Sequence, residues 1–454
     1  MTRIIRLSSL FVCFSSLCLL FCSCGTPTTG STTGNPSSTA TASTPAVTSV
    51  ANSTPTTQPT QTNCPAKGTA RAAVTPAIQP GNHANVFYTY NPGKQIILRR
   101  YDVITGKKTD IATIPATIAG NLSPVVANAR LTTDGQWIIF HGVAEGQDAI
   151  QMVRVDGQEL QTLYCGGVNS ILLSPDQKSL AFTQQYGDLL KLDMASGQLQ
   201  TETKAPAPQE PAFYQPVKWR DNSSLYVTKE LVGVGGGSPY PMRNRVGLYL
   251  LQDTSKDASQ QSTNLQQIML PNGWAGRAEG DVDMNQDHIV TNVCPRPAGT
   301  LTGLKGPCSI MLQQSTGAAS TVYNDANHAI VYVRFASNSK LLFATENITP
   351  GPQGVDFRSN NVGLWEINTD GTGLKSVATL PDNKEIYLHE LAYTPASTVS
   401  NDGTMAAIET LDSPSTPKVA RTLYVCPLNG SAPMPFASAS QQDGTATLIG
   451  WSTF

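Results

Sequence analysis

The stretch that decides the fold is Ala129–Tyr164, which reads ARLTTDGQWIIFHGVAEGQDAIQMVRVDGQELQTLY. Its segment Trp137–His141 is a run of apolar, β-branched and aromatic residues, which is typical of a buried strand. Thr133–Gln136 places Asp and Gly in the turn before this strand, and Asp156-Gly157 marks a later hairpin turn. With a short strand at each end, the stretch predicts a unit of four antiparallel strands.

Variants of this unit recur along the chain. In the second copy, Ile171–Thr183 reads ILLSPDQKSLAFT and repeats the order of strand, Asp-centred turn and apolar strand. Four strands in about 40–45 residues is the period of a propeller blade, and longer steps indicate loop insertions. The equivalent turn positions, which follow one another at steps of 42, 45, 65, 52 and 64 residues, are Asp134, Asp176, Asp221, Gln286, Asn338 and Asp402.

The two ends of the repeat region complete each other. Asn85–Thr113 contains the second, third and fourth strands of a unit but no first strand. Thr447–Trp451, TLIGW, is similar to the first strands of other units, and the chain then stops. Six full units and one shared unit predict an all-β, seven-bladed β-propeller over residues 85–454, closed by its C-terminal strand.

The repeat resembles the TolB-like and dipeptidyl-peptidase-type WD40-like repeats of bacterial propellers. The best match lies in Ser174-Pro175-Asp176 and Leu180-Ala181-Phe182, whereas Arg220-Asp221-Asn222 and Ala336-Ser337-Asn338 depart from the pattern. The resemblance implies the fold but no single activity, because such propellers host many functions.

The N-terminus predicts export and lipid anchoring. Residues 1–23 have a basic start and an apolar run, Leu10–Phe21, that is short for a membrane span, as in a signal peptide. The segment ending at Cys24 resembles a bacterial lipoprotein lipobox, although Phe21 departs from the usual Leu. We therefore expect an acylated Cys24 on the outer face of the cell membrane, with an ordinary secreted protein as the alternative.

The segments after Cys24 predict a spacer between membrane and propeller. Residues 24–63 are rich in Thr, Ser, Pro and Ala and carry no charged side chain, so we expect a disordered tether. Residues 64–84 form a short lead-in to the first blade.

The chain has 30 basic and 32 acidic residues, and this balance argues against nonspecific nucleic-acid binding.

Five cysteines follow Cys24, and an exported protein can oxidise them. Cys294 and Cys308 flank one loop between adjacent strands, which predicts a local disulfide. The pairing of Cys64, Cys165 and Cys426 stays open; one arrangement joins Cys64 to Cys165 and leaves Cys426 free.

Known catalytic and metal-binding motifs are absent from the sequence, so we expect no catalytic residues, metal or cofactor. Asp281, Asp283, Asn285 and Asp287 alternate, but the Gly and distal Glu of a calcium loop are missing. The alternation also suits an innermost strand whose polar residues face a wet central channel, and this interpretation is preferred.

The leading hypothesis is a non-enzymatic binding or scaffold module for a protein or an anionic envelope polymer. One alternative is a propeller lyase or hydrolase with dispersed acids such as Asp281, Asp283 and Glu346; another is a TolB-like envelope assembly factor. Long connections between second and third strands in the later units predict one basic binding rim. Its candidate residues are Tyr240, Arg243, Arg245, Arg296, Lys305, Phe357, Arg358 and Lys418.

Cys24→Ala is expected to release the protein from the membrane fraction into the soluble extract or medium, because the acylated thiol is lost. Cys22→Ala is the matched control and should stay anchored. Cell fractionation with labelling by a lipid precursor measures both. A Cys24→Ala protein that remains membrane-bound and labelled would show that the lipobox assignment is wrong.

Overall fold

The computed structural model describes residues 63–71, 78–79, 81, 83–92, 95–115, 129–184, 187–204, 212–231, 245–252, 254, 265–271, 282–294, 307–350, 357–381, 384–386, 398–412, 420–440 and 445–454. These residues belong to one compact unit, Thr57–Phe454. The predicted signal peptide, Cys24 and the predicted tether up to residue 62 lie outside the described residues. In the part of the chain that is described, no helix is long and apolar enough to cross a membrane.

The regular secondary structure of the described residues consists of 28 β-strands. The first fifteen are β1 (Asn85–Asn91), β2 (Gln95–Asp102), β3 (Lys108–Pro115), β4 (Arg130–Leu131), β5 (Trp137–Ala144), β6 (Gln147–Arg154), β7 (Gln161–Cys165), β8 (Val168–Leu173), β9 (Ser179–Gln184), β10 (Leu189–Asp193), β11 (Leu199–Thr203), β12 (Ala212–Trp219), β13 (Leu225–Leu231), β14 (Arg245–Leu251) and β15 (Leu265–Ile268). The others are β16 (Val282–Asn285), β17 (His288–Val293), β18 (Cys308–Gln314), β19 (Ser320–Asp325), β20 (Ala329–Ser337), β21 (Lys340–Pro350), β22 (Phe357–Asn368), β23 (Lys375–Thr379), β24 (Lys384–Ile386), β25 (Met405–Asp412), β26 (Ala420–Pro427), β27 (Met434–Ser440) and β28 (Thr445–Ser452).

These strands make seven four-stranded antiparallel sheets, which are the blades of a β-propeller. Blade 1 has the spatial order β28-β1-β2-β3, and blades 2 to 7 each use four consecutive strands, starting at β4, β8, β12, β16, β20 and β24. In blade 1, Val86 pairs with Trp451 and Tyr88 with Leu448. The predicted seven blades and their closure by the C-terminal strand are therefore confirmed.

Consecutive strands within a blade alternate in direction, so the ring has two distinct rims. We call the rim that carries the connections from second to third strands the loop rim. The opposite rim carries the connections from first to second strands and from third to fourth strands, and we call it the turn rim.

In blades 2, 3 and 7, a Ser/Thr-x-Asp motif builds the turn between the first and second strands. In blade 3 the Ser174 hydroxyl donates to Asp176 Oδ1 (2.6 Å) and accepts the N–H of Ser179 (3.0 Å). Blade 7 repeats these bonds with Ser400 and Asp402, at 2.6 Å to the carboxylate and 3.0 Å from the following N–H. The Asp side chain thus holds the turn by local bonds that the sequence predicts.

The core lies between blades. Trp137 and Ile150 of blade 2 pack in one buried cluster with Leu180 and Phe182 of blade 3. Across the closure, Tyr88 of blade 1 meets Phe436 of blade 7 edge to face, with ring centroids 5.4 Å apart. Each blade buries both faces against its neighbours, so second strands are apolar on both sides.

In blades 3, 5, 6 and 7, a polar side chain on the second strand bonds to the inner strand of the next blade. In blade 3, Thr183 Oγ1 donates to the carbonyl of Tyr214 on β12 (2.6 Å), and in blade 5 the Asn292 amide donates to the carbonyl of Ile330 on β20. In blade 6, Glu346 Oε1 accepts the N–H of Ile386 on β24 (3.1 Å). These bonds satisfy backbone groups of irregular inner strands, where unpaired groups would be costly.

The segment before β1 is held against the outside of blades 2 and 3. Cys64 is disulfide-bonded to Cys165 at the end of β7, with a Cα–Cα distance of 5.7 Å. The backbone N–H of Arg71 donates to the Met194 carbonyl (2.8 Å), and its side-chain Nε–H donates to the Leu163 carbonyl (2.6 Å).

Cys426 on β26 is a buried free thiol, and burial raises its pKa to about 12.

A buried carboxylate lies at the closure of the ring. Glu409 on β25 accepts the N–H of Leu448 on β28 through Oε2 (3.2 Å), and its Oε1 lies 3.8 Å from Arg421 Nη1. At that distance the attraction to Arg421 only partly offsets the loss of water around the carboxylate. Burial therefore raises the pKa of Glu409 from 4.5 to about 7.

Stability should depend on pH through this group. Because the folded pKa exceeds the unfolded one, the stabilisation from proton binding is complete below about pH 4.5 and is lost as the pH rises through about 7. Glu409→Gln keeps an acceptor for Leu448 and removes the charge, so it should stabilise the protein at pH 8 by up to about 3 kcal/mol but not at pH 4. Urea unfolding at several pH values measures this difference. Wild-type and variant curves that run parallel with pH would contradict it.

Candidate functional site

The candidate site is a cavity of about 450 Å³ on the axis of the propeller. All seven blades contribute to its wall. Blades 1, 3 and 7 contribute apolar or small polar residues, including Leu172 and Val399, and Trp219 and Phe335 add aromatic surface. Its volume lies in the range of small-molecule sites.

The cavity lies toward the turn rim. Its wall includes Thr133 and Pro175, which belong to turns between first and second strands, and Trp219 and Ala336, at or near the ends of inner strands β12 and β20. The indole N–H of Trp219 donates to the carbonyl of Leu172 in blade 3 (3.3 Å), and that of Trp451 donates to Thr398 (2.9 Å). These bonds between blades hold the aromatic residues in place.

One acidic side chain, Asp283 on β16, is among the described residues of the wall. Its Oδ1 pairs with Lys218 Nζ of blade 4 at 3.1 Å, and its Oδ2 accepts the N–H of Phe335 in blade 6 at 2.9 Å. Oδ1 also accepts the N–H of Met284 (2.8 Å). The buried carboxylate thus bridges three consecutive blades, and both of its oxygens are engaged, which suits structural support better than proton transfer.

Two arginines complete the charged set. Arg334 on β20 donates through Nη1 to the carbonyl of Val333 (2.7 Å), and its guanidinium lies 4.6 Å from the ring centre of Tyr332. Arg130 on β4 donates through Nη1 to the carbonyl of Ala129 (2.9 Å). Arg130 borders the cavity, and the residue as a whole is half-buried. Its guanidinium group is surrounded by protein atoms, and this desolvation lowers the pKa of Arg130 to about 10. The group remains cationic at neutral pH.

Among the described residues of the wall, three side chains are cationic, Arg130, Lys218 and Arg334, and one, Asp283, is anionic. In the described part of the chain, no group of three His, Cys, Asp or Glu side chains is arranged to hold a metal ion.

The structure shows little of the predicted binding rim. Tyr240, Arg243, Arg296, Lys305 and Lys418 lie outside the described residues. The expectation that Arg245, Phe357 and Arg358 lie in loops is wrong, because β14 begins at Arg245 and β22 at Phe357. In blade 6 the backbone pairing continues to Pro350 opposite Phe357, so strands replace most of the expected loop.

Other candidates have definite places. Cys294 and Cys308 are joined by a disulfide, with Cα atoms 4.3 Å apart, at the base of the connection between β17 and β18. Asp283 lines the cavity, while Asn285 bonds to Asn338 (2.8 Å) and Asp287 lies 3.3 Å from Arg220 at the turn rim. The structure therefore does not bring these alternating residues to one point. Asp281 lies outside the described residues.

Sequence reasoning missed the cations of the cavity, although a signal was present. In three first strands a cation stands between apolar residues: Ala129-Arg130-Leu131, Val217-Lys218-Trp219 and Val333-Arg334-Phe335. Each cation precedes the equivalent turn position of its own blade by three or four residues, and Asp283 precedes that of blade 5 by three. An alignment of the first strands by these turn positions would have predicted that the four side chains lie at the same level of the central channel.

The strand pairing defines the protein as a seven-bladed β-propeller. No protein-family model matches the chain, and no curated protein matches it. Among solved structures it is similar to TolB from Acinetobacter baumannii, with 16% identity, a TM-score of 0.36, and coverage of 64% of this chain and 63% of that one, which is less than two thirds of its length.

Two further structures are similar at the same low level. The β-propeller domain of the trilobed protease from Pyrococcus furiosus has 9% identity and a TM-score of 0.46, covering 79% of this chain and 97% of that one. An oligogalacturonate lyase from Vibrio parahaemolyticus has 13% identity and a TM-score of 0.28, covering 80% and 73%. These likenesses concern the fold and assign no activity.

Asp283→Asn should destabilise the propeller by about 1–3 kcal/mol, because it removes a buried charge that pairs with Lys218 and accepts two N–H groups. Asp110→Asn is the matched control, since Asp110 is largely exposed beside Arg99 and its loss should cost below about 1 kcal/mol. Urea unfolding measures both variants. Equal effects would show that Asp283 does not support the inner ring.

Proposed function

We propose that the protein is a non-enzymatic binding module that holds a protein or an anionic envelope polymer at its loop rim. The observation that carries this proposal is the uneven length of the connections on that rim. In blades 1, 2 and 3 they contain 3, 2 and 4 residues. In blades 4, 5, 6 and 7 they contain 13, 14, 6 and 7 residues.

The long connections are contiguous around the ring, which favours one extended surface over scattered insertions. In blade 5 the disulfide between Cys294 and Cys308 fixes the base of the connection. In blade 6 the paired strands β21 and β22 are 11 and 12 residues long, so a hairpin extends the blade on this side.

The charge of these connections supports an anionic partner. With their flanking residues they contain six cationic side chains, Arg243, Arg245, Arg296, Lys305, Arg358 and Lys418, against Asp356 and Asp412, whereas the whole chain has a formal charge of −2. A basic patch on a nearly neutral protein steers association with anionic surfaces.

We also propose an extracytoplasmic location, with the propeller anchored through an acylated Cys24. The lipobox-like sequence supports the anchor. The two disulfides support an oxidising compartment, because stable disulfides are rare in the cytosol.

The enzyme alternative has less support from the described residues. Of its candidate acids, Asp283 is engaged by Lys218 and backbone N–H groups, and Glu346 accepts the N–H of Ile386 in the next blade. Both side chains bind neighbouring blades, and the structure does not place them in one constellation.

The test is the triple charge reversal Arg243→Glu, Arg245→Glu and Arg296→Glu, assayed by co-sedimentation with isolated envelope polymer and by crosslinking in the native host. We expect binding to weaken by roughly tenfold or more and to fall with added salt. The control reverses Lys107 and Lys108, which are exposed near the turn rim, and should bind normally. Unchanged binding by a folded triple variant would place the ligand elsewhere.

A further inference from the structure

In blade 6 the third strand continues toward the loop rim well beyond the fourth strand. β22 begins at Phe357, but its pairing with β23 begins only at Gly363, opposite Thr379. The six residues Phe357–Val362 therefore lie beyond the end of the fourth strand, and we call them the overhang of β22. At about 3.3 Å per residue, the overhang is about 20 Å long.

One edge of the overhang is paired with the second strand of the blade. Asn347–Pro350 of β21 pair in register with Phe357–Asn360. In an antiparallel ladder, alternate residues turn their N–H and C=O groups toward one neighbour, and the residues between them turn theirs toward the opposite edge. In the described part of the chain, no strand pairs with that opposite edge of the overhang.

The length of the overhang distinguishes blade 6 from the other blades. In blades 1, 3, 5 and 7, the first residue of the third strand is already paired with the fourth strand. The pairing starts two residues after the beginning of β6 in blade 2, and three residues after the beginning of β14 in blade 4. Among the described residues, blade 6 therefore has the longest open edge of a third strand at the loop rim.

An open strand edge is a place where another extended chain can add. Its N–H and C=O groups follow the repeat of a β-strand, so they pair with the backbone of an extended peptide. Proteins commonly block such edges with proline or lysine. The overhang reads FRSNNV and contains neither, whereas β21 ends at Pro350, whose nitrogen has no hydrogen to donate.

We propose that the partner of the loop rim is a protein, and that an extended segment of this protein adds to the overhang of β22, in line with β23. This inference rests on the proposed function and identifies its partner. An envelope polymer without a peptide backbone lacks N–H and C=O groups at the repeat of a strand, so it cannot continue the ladder.

Charge favours an acidic segment of another protein over a second copy of this chain. The long connections of the loop rim and their flanking residues carry six cationic and two acidic side chains, and Arg358 belongs to the overhang itself. A second copy would bring the same basic set against itself, whereas an acidic segment complements it.

The probe is the peptide acetyl-EVETVTEVE-amide, carrying a dye for fluorescence anisotropy and added to the full-length folded protein. The control peptide has proline at its fourth and fifth positions, which removes N–H donors from both edges of the strand. We expect the control peptide to bind roughly tenfold or more weakly. Binding of the first peptide should also slow hydrogen–deuterium exchange at Phe357–Val362 of the unaltered protein.

Ser359→Pro and Asn360→Pro, made separately, test the edge from the side of the protein. The two residues are neighbours, so one of the two variants removes an N–H that faces the partner, and that variant should weaken peptide binding by roughly tenfold or more. Ser320→Pro is the matched control, because Ser320 is the exposed first residue of the edge strand β19 in blade 5, and this variant should bind normally. Thermal unfolding checks that each variant is folded.

Several results would overturn the proposal: equal binding of the two peptides, no binding, unchanged exchange at Phe357–Val362, or normal binding by both folded variants of the overhang. Equally tight binding at low salt of a peptide with Gln in place of every Glu would do the same. A dimer in analytical ultracentrifugation that Ser359→Pro or Asn360→Pro dissociates would identify a second copy as the occupant instead. If the triple reversal at the loop rim abolishes binding of envelope polymer while no peptide binds, the proposed function stands and this inference fails.

Discussion

The structure depends on one constraint, which is that each four-stranded blade is apolar on both faces and must be covered on both sides. A row of such sheets leaves two bare ends, and closing the row into a ring removes them. Here β28 adds to β1, so the first blade combines both ends of the repeat region. The same pairing covers what would otherwise be the exposed edge of β1.

Ring closure brings the first strands of all blades to the axis, where sheet hydrogen bonding is irregular. The register shifts within β12, β20 and β28, and polar side chains of preceding blades bond to backbone groups of these strands. Thr183, Asn292 and Glu409 serve this purpose. Asp283 and Glu346, two of the dispersed acids that the sequence offers for catalysis, likewise bond to neighbouring blades.

The two rims differ in the length of their connections. On the loop rim, short connections in three blades and longer ones in the next four make the ring asymmetric. Toward the turn rim, residues at or next to the inner strands form most of the wall of the axial cavity.

The sequence by itself determined the local units and their number. The alternation of apolar strands with Asp and Gly turns predicts each blade, because a strand and its turn are formed by residues that are close together in the chain. The incomplete units that begin at Asn85 and Thr447 predict closure of the ring. Only the tertiary structure decided which side chains meet. Arg130 and Arg334 are 204 residues apart in the chain and line one cavity, because the ring carries the first strand of each blade to the same axis.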